Sequence, residues 1–97
     1  MLVTTGVAAV LVIVRNRNRK SMVIQNTDTT DTVYVKRERA ATPTVTSTNF
    51  DFKLAPGASM ALNSLLDGSE AIQDSYTGIA SANTPVLAVF ETEDIVR

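Results

Sequence analysis

The chain has 97 residues, a net charge of −1, and no Cys, His or Trp. The length fits one domain rather than two. The composition excludes disulfide staples, the usual zinc sites, cysteine nucleophiles and histidine-based triads.

Leu2 to Val14 is apolar but shorter than the about 20 residues of a membrane span, and Thr4, Thr5 and Gly6 interrupt it. A signal peptide carries its positive charge before the apolar stretch. Here the charge follows, at Arg15, Arg17, Arg19 and Lys20. The β-branched run Val10–Val14 predicts a strand buried on both faces. Met22–Gln25 is the next strand, and the polar loop between the two predicts a hairpin. Asn26–Asp31 is a turn, since Asn and Asp side chains bond the nearby backbone. Thr32–Lys36 follows as a strand, with Val33 and Val35 on one face and Tyr34 on the other.

Arg37 to Thr48 has almost no large apolar side chain. It reads as an exposed loop or arm, with an edge strand near Val45. Phe50, Phe52 and Leu54 alternate with Asp51 and Lys53, which predicts a strand with both phenylalanines facing the core. Pro56 and Gly57 fit the central positions of a type II turn. Ala58–Leu66 fits a strand through Leu62 or one face of a helix, and the strand is preferred. Tyr76–Ile79 and Val86–Phe90 are the last strands, separated by the turn Ser81–Pro85 and followed by the acidic stretch Glu91–Asp94. Six to seven short strands with regular turn signals predict a single all-β domain over residues 1–97, an antiparallel β-sandwich or barrel.

Charge is uneven along the chain. Residues 1–39 hold seven Lys/Arg and three Asp/Glu (+4), while residues 40–97 hold two and seven (−5). Either two charged poles form or the fold mixes the signs, and mixing is the expectation. For chemistry, the remaining carboxylate groupings are Glu91, Glu93 and Asp94, and Asp67, Glu70 and Asp74. An acidic pair on an outward face is ordinarily solvated, so no enzyme activity is expected. Asp28 and Asp31 have oxygen ligands suited to Ca²⁺, but Asx-turn chemistry explains them more simply.

The concentrated feature is Arg15, Arg17, Arg19 and Lys20. Arginine pairs bidentately with carboxylates and suits protein interfaces. No aromatic interleaves with these residues, and nucleic-acid modules usually supply one, or a strongly basic charge. These four residues are therefore the candidate protein interface, with an acidic protein surface as partner. A solvated loop tip would carry the same residues.

The order of motifs is Arg17-Asn-Arg-Lys-Ser-Met-Val-Ile-Gln-Asn26, then Val33-Tyr-Val35, Phe52-Lys-Leu-Ala-Pro-Gly57 and Pro85-Val-Leu-Ala-Val-Phe-Glu91. It resembles the small β-sandwich structural proteins of tailed-bacteriophage virions, including head decoration or cement proteins and some tail-base proteins. The resemblance spans residues 10–91, and its motifs are short strand–turn patterns. Arg37–Thr48 departs from it. The resemblance implies a virion structural protein assembled in the host cytoplasm. It would bind the major capsid protein or other virion proteins as a homo-oligomer, a trimer or dimer, with no cofactor, nucleic acid or membrane. Many copies of a modest interface would then stabilise the shell by avidity. The alternatives are a tail or head–tail adaptor, a spike-base protein, or a small carbohydrate-binding module. The last is disfavoured by the lack of Trp.

Overall fold

The computed structural model describes residues 1–39, 42–63 and 72–93. Its strands are β1 (Leu2–Thr4), β2 (Val10–Ile13), β3 (Arg19–Asn26), β4 (Val33–Arg37), β5 (Phe52–Leu54), β6 (Ser59–Asn63), β7 (Tyr76–Ala80) and β8 (Val86–Glu93). They form two four-stranded sheets, β1-β8-β3-β6 and β2-β7-β4-β5, and every pairing is antiparallel. The architecture is an all-β sandwich. It has eight strands rather than six to seven, because Leu2–Thr4 pairs separately with β8.

Burial follows the period-2 rule in β3 and β6. Met22 and Ile24 of β3, and Met60 and Leu62 of β6, point into the sandwich. They meet Val33 and Val35 of β4, Leu54 of β5 and Tyr76 of β7 in one apolar cluster, completed by Leu87 and Val89 of β8. Slipping either strand by one residue would turn its apolar set to solvent.

The expected hairpin between Val10–Val14 and Met22–Gln25 does not form. β2 lies in one sheet and β3 in the other, so the arginine-rich segment is an arch across the end of the sandwich. β4 and β5 are the sequence neighbours that pair directly. The first strand is also not buried on both faces. β2 is an edge strand, and Leu11 and Val14 stay 54% and 65% exposed.

The strand of Phe52 starts at Phe52 itself, so Phe50 lies outside it and outside the core. Phe50 leans instead on Tyr34, ring centroids 4.9 Å apart and tilted by 52°. The Pro56–Gly57 turn is present. Ala58 N donates to Ala55 O at 2.9 Å, and Gly57 has the positive φ of 78° that this position requires. Residues 64–66 of the strand-or-helix stretch lie outside the described residues.

Residues 42–51 fold back over the outer face of the β4–β7 pair. Lys36 Nζ donates to Thr44 Oγ1 and Asn49 Oδ1 at 3.0 and 3.1 Å. Glu38 accepts from Thr44 N and from Thr77 Oγ1 at 2.8 and 2.6 Å. Thr42 and residues 46–48 are exposed, whereas Val45 is buried. Near Val45 there is an isolated bridge, Thr46 to Asn49, rather than an edge strand.

Candidate protein-binding surface

The four residues singled out in the sequence separate in space. Arg15, Arg17 and Lys20 are exposed, while Arg19 is 2% exposed. The cause is a β-bulge. Arg19 pairs with Glu93 and Ser21 with Thr92, so Lys20 is an extra residue on β3. The extra residue breaks the alternation, and Arg19 turns inward although it stands three positions before inward-facing Met22. Arg19 is therefore withdrawn from the exposed interface set.

Inside, its guanidinium is fully employed. Nε donates to Glu91 Oε2 at 2.7 Å. Nη1 donates to the carbonyls of Ile72 and Asp74 at 2.8 and 2.9 Å, and Nη2 to that of Val14 at 2.6 Å. One side chain thus joins both sheets and the segment before β7. The arch itself is tied by Asn16. Its N–H donates to Gln73 O at 2.8 Å, its Oδ1 accepts from Asn18 N at 3.0 Å, and its Nδ2 donates to Glu93 Oε1 at 2.8 Å. Arg15 and Arg17 project from a fixed turn.

A second charged group sits nearby. Arg37 Nε and Arg39 Nε donate to the two oxygens of Asp74 at 2.8 and 2.6 Å. They border a cleft of about 680 Å³ with Asp51, Phe52, Leu62 and Tyr76. Burial works to raise the Asp74 carboxyl, but the hydrogen bonds from Arg39, Arg37 and Ser75 N outweigh it and hold the group below its ordinary value. Glu38 behaves alike: burial opposes, and the bonds from Thr44 and Thr77 prevail. Burial pushes the Tyr76 phenol up to about 12. With Arg19–Glu91 and Arg37–Asp74 in place, positive residues of the first 39 meet negative residues of the remainder. Among the described residues the two signs mix at these contacts.

These shifts set an acid dependence. Both carboxyls ionise more readily folded than unfolded, so the unfolded chain binds more protons in acid. Their contribution is fully present above the ordinary values of 3.8 and 4.5 and is lost as pH falls through the lower folded values. Urea midpoints should be flat from pH 7 to about 5 and fall below about 4, with Asp74→Asn removing part of the fall. A profile in which Asp74→Asn tracks the wild type throughout would contradict the assignment.

Among the described residues, the carboxylates singled out in the sequence are held by neighbouring groups. Glu91 is held by Arg19 and Glu93 by Asn16. Asp28 accepts from the N–H groups of Asp31 and Thr30 at 2.7 and 3.1 Å, which makes it the organiser of its own turn. Those bonds lower its pKa, that from Asp31 most. Asp67, Glu70 and Asp94 lie outside the described residues. Among the described residues no three or more Asp or Glu cluster as metal ligands would.

The surface the sequence did not flag is the outer face of the β1-β8-β3-β6 sheet. Val23 sits between Phe90 on one side and Ala61 on the other. Leu2 pairs with Ala88, the next outward position along β8. Phe90 is 60% exposed and Leu2 74%. Gln25, Ser59 and Thr92 continue the same face, and none of these positions carries a charge. Exposed apolar patches rimmed by polar residues mark interaction sites. The alternation of β8 held the signal, since inward Leu87 and Val89 oblige Phe90 to face out.

No family model matches the sequence, and no curated protein or solved structure matches it either.

Proposed function

We propose that this chain is a non-enzymatic structural subunit of a virus particle, of the decoration or cement kind, that binds the major capsid protein and stabilises the shell. The observation that carries this reading is the uncharged outer face centred on Phe90, an apolar surface on a domain in which Arg19 is paired with Glu91 and Arg37 and Arg39 with Asp74. Such a face fits a broad, shape-matched protein partner better than a small polar ligand. Arg15 and Arg17 stand on the fixed arch as rim cations for an acidic partner surface, where charges steer association more than they strengthen it. The motif order from residue 10 to 91 supports the virion setting. The tilted, part-buried Tyr34–Phe50 pair makes a poor flat platform for a sugar ring, which weighs against a carbohydrate module.

The test is co-sedimentation of the protein with empty heads of tailed phages. The expected result is saturable binding that Phe90→Ala weakens at least tenfold. Arg15→Ser with Arg17→Ser should slow association and reduce its salt dependence without changing the melting temperature. Folded protein that stays in the supernatant with every head, yet binds isolated tails, would replace this reading with the tail-adaptor one.

A further inference from the structure

One side of the sandwich is an open edge built from the first 14 residues. β1 bonds to β8 alone and β2 to β7 alone. β5 touches β6 across the sheets, which puts those two edges together on the opposite side. β1 and β2 are joined by residues 5–9, which bend at Val7 and Ala8 and carry the chain from one sheet to the other. Thr5 N donates to Pro85 O, at the start of β8, and Gly6 O accepts from Ala80 N, at the end of β7, both at 2.8 Å. The edge therefore runs the length of one side.

Monomeric β proteins blunt such edges with Lys, Pro, bulges or inward charges. β5, on the far side, has Lys53 between Asp51 and Pro56. Residues 1–14 contain no charged side chain and no Pro. The bulge at Val12 lies toward β7 rather than toward the open side. Of the eight large apolar residues that remain exposed among the described residues, five belong to this segment: Met1, Leu2, Val7, Leu11 and Val14.

We infer that the N-terminal edge pairs with the same edge of a second copy of this chain, joining two sandwiches side by side. A two-fold contact sets residue i of one copy against residue j of the other and j against i, so an edge carrying like charges would repel its copy and a row of uncharged side chains does not. An uncharged edge also offers nothing to select a charged partner. The five apolar side chains expose roughly 600 Å² together, near the about 800 Å² per partner of a standard interface once their backbone is added. The edge shares Leu2 with the face used in the virion reading, but self-association and head binding are measured separately, so either can fail without the other.

The test is light scattering on the full chain at about 100 µM, with amide hydrogen exchange on the same samples. The expected mass is twice the 10.4 kDa chain. Leu11→Lys should halve it while leaving the far-UV spectrum and melting curve of a folded β protein. Thr4→Lys, on the exposed side of β1, serves the same purpose should the first variant fail to fold. Amides of β1 and β2 should exchange more slowly in the wild type than in the variant. A wild type at single-chain mass, or a doubled mass that survives both lysines, would overturn the inference.

Discussion

Arg19→Ala is expected to destabilise the domain by about 3–5 kcal/mol, because it strips the donor from three backbone carbonyls, at about 1–3 kcal/mol for each left unsatisfied. The carbonyls of Val14, Ile72 and Asp74 would lose their donor together. For a domain of this size that is a fall in melting temperature of roughly 15–30 °C. The ion pair with Glu91 is the smaller part. The Glu91 side chain is 36% exposed against 0% for Arg19, and a partly solvated pair contributes up to about 1 kcal/mol. Glu91→Gln should therefore be mild and Arg19→Lys severe, because an ammonium on one stem cannot reach three carbonyls set around a planar fork. Urea denaturation of the three variants checks the order. A loss under 1 kcal/mol for Arg19→Ala would mean that the side chain does not hold the arch.

The second large effect is at Gly78, on the inner face of β7. A Cβ there would lie 2.9 Å from a methyl of Val12. Val12 is the extra residue of the β2 bulge and is 3% exposed, so the methyl has little room to move. Gly78→Ala should cost about 1–3 kcal/mol by overpacking, although Gly to Ala in an unstrained strand ordinarily helps. Val12→Ala alone opens a cavity. Combined, the two changes should cost at least about 1 kcal/mol less than their sum, since the new methyl fills the vacated space. Strict additivity would show that the two residues do not touch.

The clearest legible feature was the burial of Val33 and Val35 on one face of β4 with Tyr34 on the other, because alternation is a local property of the backbone. The Pro56–Gly57 turn was legible for the same reason. What escaped depends on partners far along the chain. An apolar run such as Val10–Val14 is compatible with a central strand or an edge, and the choice is made by what pairs beside it. The inward turn of Arg19 arises from a bulge that exists only against β8, more than 70 residues away, so the arginines looked equivalent. Phe50 fits the alternating pattern, but β5 begins only at Phe52, two positions later. Val45 was hidden by its surroundings, a single large apolar residue among threonines. The arch was mistaken for a hairpin because a short polar loop joins strands equally well within a sheet or between sheets.

The pairing of Leu2 with Ala88 has a consequence for how the protein is made. β8 sits between β1 and β3 in its sheet, so β1 has no partner strand until β8 has been made, although β3 can pair with β6 before then. Closure of this sheet is thereby governed by contacts of long sequence separation, which places it among the slower small domains. Throughout that interval the uncharged stretch from Leu2 to Val14 waits without its partner strands. Its yield in a cell should depend on how quickly closure follows synthesis of β8, and on what shields those residues meanwhile.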